Sequence, residues 1–441
     1  MKNSILFFIL VFSAVSGFAQ QKWTLQECIQ RALDENIQVR QAQLDIDAAK
    51  LDKSDAEGNF LPTLNASASV SKNTGLNFDP TSNLATTTQF LSASGGINTD
   101  YNLFDGLRNF KQVQRAKLTA LSAQYSFEKL EDDIALNVAN GYLQVILNKE
   151  NLKVLRSQNE VTKKQLQQTN DLVEGGVSPR GDLLEVQAQN ASEIQSIVAA
   201  ENAVQISLIS LAQTLLIRDY KNFDIADGDY QIHGEDVLLK SPQEITESAK
   251  EERYEVKIAE NSLDIAEKDV EIARGARWPT LSAFFGYSTR YSEQDLVNSF
   301  QEQLYLNDGI SYGLRLNVPI LNGFQTRNNV RRSKIAVDRA EISLEQAQLD
   351  LESNVYQAYL DAQGALKAYE AAETAVESQE LAFSYSQDRY EVGLINAFDF
   401  SQSKQRYDNA QIDLNRTKYD YIFKLKVLEL YFGVPVNELK F

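Results

Sequence analysis

Cysteine, histidine and proline are scarce in this chain: its 441 residues contain one cysteine, one histidine and seven prolines. A single thiol, Cys28, makes no internal disulfide, so no covalent staple holds the fold. The lone imidazole, His233, sits in an Asp- and Gly-rich connector with no second ligand nearby. That excludes a zinc centre and His-based nucleophilic catalysis, and leaves His233 as a solvated linker residue. No glycine loop of the phosphate-cradling kind occurs. The sequence therefore predicts no enzyme, no cofactor and no metal site. Basic residues are in deficit, with 43 Lys and Arg against 61 Asp and Glu, and the formal charge of -18 argues against a nucleic-acid partner. Long hydrophobic runs are also missing. Past the first 20 residues there is no stretch of about 18 apolar residues, so no membrane-spanning helix is expected and a bilayer would have to be crossed by strands.

What is present begins at the N-terminus. Lys2, the apolar stretch 5–12, and small residues at Gly17 and Ala19 have the layout of a secretory signal cut after Ala19. Cys28 falls beyond that cut and inside a helical pattern, so no lipid anchor is expected. Removal of Lys2 takes the formal charge from -18 to -19.

The strongest internal signal is a repeat. At an offset of 217 residues Leu61-Pro62-Thr63-Leu64 falls on Trp278-Pro279-Thr280-Leu281, and Asp105-Gly106 falls on Asn322-Gly323. Tyr142 falls on Tyr359, Gly176 on Gly393, and Asp182 on Asp399. Five coincidences among breakers and special residues at one ungapped offset indicate duplication. The layout expected is a signal at 1–19, a first repeat at 20–217, a connector at 218–241, a second repeat at 242–433 and a terminal segment at 434–441.

Each repeat reads helix, strand, loop, strand, long helix, turn, helix. Apolar residues from Leu25 through Leu51 recur at helical spacing, Thr24 and Glu27 form a capping-box pair, and Pro62 ends the segment, predicting one helix over 24–57. Between Gly106 and Glu174 no proline occurs, which predicts a helix of about 67 residues, roughly 100 Å long at ~1.5 Å per residue. A second such helix is predicted over 323–390, where Ala365, Ala368, Ala372, Ala375 and Ala382 make a small-residue stripe suited to close helix packing.

Period two appears four times. Leu64, Ala66, Ala68 and Val70 alternate with Asn65, Ser67, Ser69 and Ser71, and Leu91, Ala93, Ile97 and Tyr101 alternate with Ser92, Ser94, Asn98 and Asp100. The same pattern recurs around Phe285 and Leu314. Strands are therefore expected near 62–71, 90–101, 280–291 and 310–320, each long enough for a tilted crossing of a bilayer core. Trp278, Tyr101, Phe104, Tyr291 and Phe324 at their ends suit an interfacial girdle, and the polar segments 72–89 and 292–308 read as outward loops. Four strands cannot close a barrel alone, because an open edge in lipid leaves backbone groups unpaired at several kcal/mol each. Three chains would supply twelve strands. The predicted fold is thus mainly α with a β-barrel portion: long antiparallel coiled-coil helices forming an α-barrel, plus four transmembrane strands per chain. A periplasmic coiled-coil adaptor or scaffold, the alternative, accounts for the helices and the charge but not for the strands.

Several stretches resemble the TolC-like outer-membrane efflux proteins. They are residues 23–27 and 32–36, Phe60-Leu61-Pro62-Thr63-Leu64, Leu103-Phe104-Asp105-Gly106, and Arg389-Tyr390-Glu391-Val392-Gly393 followed by Phe398-Asp399. The resemblance spans the mature chain. It implies a homotrimer with a 12-stranded barrel in the bilayer of a Gram-negative outer membrane and a helical tunnel in the periplasm. That duct would serve a tripartite efflux or type I secretion system by docking a periplasmic adaptor (membrane fusion) protein and an inner-membrane pump. It also implies a gate at the periplasmic tip. Asp399 matches one acidic position of that gate, Gln402 stands where a second acid is usual, and Ile395 stands where an arginine is frequent. Tyr390 matches a tyrosine that ties the inner helix pair shut, and Asp182 is the candidate partner on the other pair. Gly176 and Gly393 would shape the turns that an adaptor grips. Helix N-capping is the competing role for Asp182 and Asp399.

Overall fold

A computed structural model describes residues 22–79, 84–228, 230–295 and 297–434. The predicted signal at 1–19 lies outside the described residues, as does all of the terminal segment beyond Val434. The first repeat contains α1 (Leu25–Glu35), α2 (Ile37–Gly58), β1 (Thr63–Asp79), β2 (Leu84–Phe104), α3 (Arg108–Glu174) and α4 (Arg180–Thr214). The second contains α5 (Pro242–Glu252), α6 (Tyr254–Gly275), β3 (Thr280–Ser292), α7 (Phe300–Leu306), β4 (Gly309–Asn317), α8 (Gln325–Glu391) and α9 (Ala397–Tyr431). Every large helix of the second repeat starts and stops 217 residues after its counterpart, and α3 and α8 are both 67 residues long. The same offset relates the left-handed residues Gly106 and Leu107 to Gly323 and Phe324, and Gly176 to Gly393.

The helix expected over 24–57 is two helices. Thr24 and Glu27 do form the capping box that starts α1, but Asn36 leaves the helical region at ψ 133 and its side-chain Oδ1 accepts from the Gln38 N–H at 2.8 Å, starting α2. Arg253, one offset later, breaks the second copy at ψ 132 between α5 and α6. Leu25, Ile29, Ala32 and Val39 are buried, whereas Leu44 and Leu51 are exposed and Ile46, Ala49 and Ala56 point inward instead. In α8 the buried residues are Val330, Leu351, Val355, Ala358, Ala362 and Ala365, so only Ala365 of the predicted alanine stripe is fully buried.

The four strands form one antiparallel sheet in the order β1-β2-β3-β4. Register places Ala66 opposite Ile97, Ile97 opposite Tyr287, and Tyr287 opposite Ile310, while Phe285 faces Tyr312 and Ala283 faces Leu314. Side chains directly across a ladder share a face, so the alternations add up to one apolar face and one wet face. The strands β1 and β2 are 17 and 21 residues long, longer than expected, because their ladder continues through 72–79 and 84–91 in what read as a loop. The predicted loop at 292–308 contains α7, started by a capping box of Ser299 and Glu302. The last strand ends at Asn317, short of the expected 320.

The chain divides into two compact units. One comprises Leu44–Tyr125 and Ile258–Glu345 and carries the sheet; the other comprises Met1–Gln43, Ser126–Lys257 and Gln346–Phe441. In the second of these the connector is tied to the helices by the repeat's paired tyrosines. Tyr142 Oη lies 3.2 and 3.1 Å from the carbonyls of Trp23 and Ala226, and Tyr359 Oη donates to that of Leu238 at 3.4 Å. His233 is exposed, as expected, but its carbonyl accepts from buried Lys426 at 2.7 Å.

Candidate functional site

The ends of α3, α4, α8 and α9 form two helical hairpins, α3–α4 and α8–α9. Each turn is closed by a glycine with left-handed φ, 70° at Gly176 and 73° at Gly393, where a side chain would be strained. Val177 N–H donates to Leu172 and Leu394 N–H to Arg389, both at 2.8 Å, so the two turns are copies in detail. Space around both glycines is open.

Aromatic packing holds the second hairpin together. Tyr407 stacks on Phe383 at 5.6 Å, Phe383 meets Phe400 at 5.6 Å, and Tyr390 stacks on Phe400 at 4.9 Å. These residues alternate between α8 and α9. Burial of large rings makes this pair difficult to split.

Between the hairpins the contacts are polar instead. Gln158, Asn159, Thr162, Gln165 and Thr169 follow three-four spacing along α3, and all are buried. Asn151 bonds Asn415 at 3.3 Å, Gln158 bonds Gln411 at 3.2 Å, and Thr169 Oγ1 bonds Tyr390 Oη at 3.0 Å. At the centre Lys404, 2% exposed, places its ammonium 2.9 Å from Glu193 of α4 and 2.9 Å from Asp408 of α9. Glu193 also accepts from Asn159 at 3.0 Å, Thr162 at 2.8 Å and Gln189 at 2.9 Å. Burial pushes the Glu193 carboxyl up, but the bonds from Gln189, Asn159 and Lys404 outweigh it and hold the group below its usual value. Asp408 has less support. Burial pushes it up to about 6 against the pull of Lys404, with Glu193 adding repulsion. One level towards the turns, buried Gln165 Nε2 and Ser401 Oγ have no hydrogen-bond partner among the described residues. A seam of polar groups can rehydrate as it parts, unlike an apolar one.

The residues singled out in the sequence fall around this seam. Tyr390 lies in it, but its partner on the first hairpin is Thr169, not Asp182. Neither Asp182 nor Asp399 caps its helix. The α9 N-cap is Asn396, whose Oδ1 accepts from the Asp399 N–H at 2.8 Å, and α4 starts at Pro179 without a side-chain cap. Both aspartates lie in the first turn, where a negative charge favours the helix. Asp399 and Gln402 are exposed, and Gln402 accepts from Arg406 at 3.0 Å. Sequence reasoning missed Glu193, Lys404 and Asp408.

The sheet is the second functional feature. Leu64, Val70, Ile97, Phe285, Ile310, Tyr312, Leu314 and Leu316 lie exposed on one face with no charged neighbour between them. The other face carries serines, asparagines and Asp100, Arg290 and Arg315, with the Arg315 guanidinium over the Phe284 ring at 5.1 Å. Outer strands β1 and β4 each have one unpaired edge. By length and composition α4 passes as a membrane span, with an 18-residue window of mean hydropathy 1.3, but it also carries buried Glu193 in its hairpin.

A family model described as outer membrane efflux protein matches residues 28–215 and 245–434. Outer membrane protein TolC of Vibrio cholerae is 25% identical over 427 residues, covering 96% of this chain and 93% of that protein. Alkaline protease secretion protein AprF of Pseudomonas aeruginosa is 22% identical over 333 residues, covering 75% and 68%. The solved structure of the Campylobacter jejuni CmeC outer membrane channel aligns with a TM-score of 0.78 at 17% identity, covering 93% of this chain and 85% of that one.

Proposed function

We propose, for a chain that belongs to the outer membrane efflux protein family, that three copies assemble into a passive exit duct carrying substrates from a periplasmic adaptor and an inner-membrane pump to the exterior. The observation that carries this reading is the sheet: four strands with one predominantly apolar face and two unpaired edges. Such a sheet is stable in lipid only when its edges are closed by further copies. The helices supply a second reason for assembly. Ile37, Leu44 and Leu51 along α2, and Ile335, Ile342 and Leu349 along α8, are exposed apolar residues at steps of seven, the spacing of a coiled-coil contact. The number three follows from the resemblance and gives twelve strands.

In this reading the apolar face meets lipid, the wet face lines the lumen, and the helical hairpins reach into the periplasm. The polar seam is the gate, with hairpin α8–α9 moving as one body away from α3–α4. Tyr390 belongs to the lock, Asp399, Asp182 and Gln402 stand near the entrance, and the turns at Gly176 and Gly393 are the surface an adaptor grips. Family members are transport channels, and the chemistry of transport is left to the pump. The test is fractionation followed by reconstitution. Heat-modifiable trimers in the outer membrane that conduct ions in planar bilayers are expected. A soluble periplasmic monomer would instead favour the adaptor or scaffold.

A further inference from the structure

The seam contains one ammonium for two carboxylates. Lys404 lies 2.9 Å from both Glu193 and Asp408, and all three side chains are nearly excluded from water. With both acids ionised the trio carries one uncompensated negative charge, a costly state in a buried site. Glu193 is the better supported of the two, with three further donors from α3 and α4. Among the described residues Asp408 accepts only from Lys404, four residues away on its own helix. The surplus charge is therefore relieved at Asp408.

We propose that Glu193, Lys404 and Asp408 form a proton-sensitive latch between the hairpins: Asp408 takes up a proton when they pack together and releases it when they part. Acid then tightens the seam, and neutral pH loosens it. This rests on the reading of the seam as a gate.

The charged and titratable groups around Asp408 support the assignment. From α4 comes Glu193, which repels the ionised form, and from α9 itself come Lys404 and Tyr407. From α8, Glu380 acts on Tyr407. From α3 the seam presents uncharged amides and hydroxyls, namely Gln158, Asn159 and Thr162. No second cation in this set neutralises Asp408. The sign follows from linkage. Asp408 sits at about 6 with the seam closed and returns towards 3.8 when hydrated, so the closed state binds the proton more tightly. Raising the pH from 5 to 7 should increase the open-to-closed ratio about tenfold per latch.

The experiment places a cysteine at Ser401, a buried seam position whose hydroxyl makes no hydrogen bond among the described residues. The native thiol, Cys28, is buried and pushed up to about 12, so it contributes little background. Full-length Ser401→Cys protein in nanodiscs is labelled with a maleimide between pH 5 and 7, and each rate is divided by that of the same cysteine combined with Asp408→Asn. The quotient cancels the thiol's own titration. It should rise about tenfold, and Asp408→Glu, which keeps a titratable group, should retain the rise. A flat quotient, or an Asp408→Glu variant as flat as Asp408→Asn, overturns the latch. Single-channel recordings on the same samples separate the two ideas: labelling that follows pH while open probability does not leaves the latch standing and removes the gate.

Discussion

Replacing Lys404 by Met tests the seam most directly. The substitution keeps the length of the side chain and removes its charge. Glu193 then keeps Asn159, Thr162 and Gln189 but loses its counter-charge, and Asp408 loses its ammonium. Removing one partner of a buried pair costs about 3–5 kcal/mol, because the remaining charge stays buried. Part of that cost is avoidable here. Asp408 sits at about 6 even with Lys404 beside it, and loss of that ammonium raises it further, so neutralising it at pH 7 takes at most about 1.4 kcal/mol. The expected loss therefore lies near the lower bound, ~3 kcal/mol, or roughly 150-fold in the closed-to-open ratio. Open probability in planar bilayers should rise accordingly, and adding Glu193→Gln should recover most of the closure by removing the unpaired charge. A Lys404→Met channel as tightly shut as the wild type would refute this account, and so would a double variant as leaky as the single one.

Tyr390→Phe keeps the stack on Phe400 and deletes one neutral hydrogen bond, about 1 kcal/mol, so opening should increase about fivefold, and Thr169→Val, which leaves the Tyr390 hydroxyl without this partner, should increase it at least as much; single-channel recording decides, and a smaller effect of Thr169→Val would separate the residues. Gly234 has φ 91°, and a Cβ there would collide with the Glu429 carboxylate. Gly234→Ala should lower thermal stability by about 2 kcal/mol or more, so an unchanged melting temperature would contradict the connector's fastening to α9. Leu314→Lys places a charge on the apolar face at a cost of about 2–4 kcal/mol near the bilayer midplane, whereas Ser288→Lys on the wet face should be tolerated. Equal outer-membrane yields of the two folded variants would mean that the faces are assigned wrongly.

The duplication was legible because breakers and special residues carry it: Gly106, Gly176 and Tyr142 have one counterpart each at a constant offset. The strand faces were legible for a similar reason, since period two needs no partner to be recognised. The helix breaks were not. Asn36 and Arg253 share a position and a conformation but no chemistry, so comparison of the repeats had nothing to match. Polar composition hid the outer ladder of β1 and β2, because hydrophilic residues serve a loop and a solvated ribbon equally. Tyr390 could be found by motif, yet its partner Thr169 required the packing of two hairpins. Lys404 lies within Ser403-Lys404-Gln405-Arg406, a stretch that by itself reads as a solvated face. The available clue was on α3, where uncharged Gln158, Thr162, Gln165 and Thr169 recur at helical spacing while Glu160, Lys163 and Lys164 occupy the other side.

The repeat and the seam have a joint consequence for how such a chain can change. Applying the 217-residue offset to Glu193 gives Ala410, and applying it in reverse to Lys404 and Asp408 gives Gln187 and Ala191. Bolt and keeper therefore sit in different halves, and neither half contains a spare of the other. Copying either half over its twin would preserve every helix and strand boundary and still abolish the fastening. Two units that began as interchangeable have become complementary, and under the proposed gate their divergence at these few positions would make one a fixed wall and the other a leaf that swings.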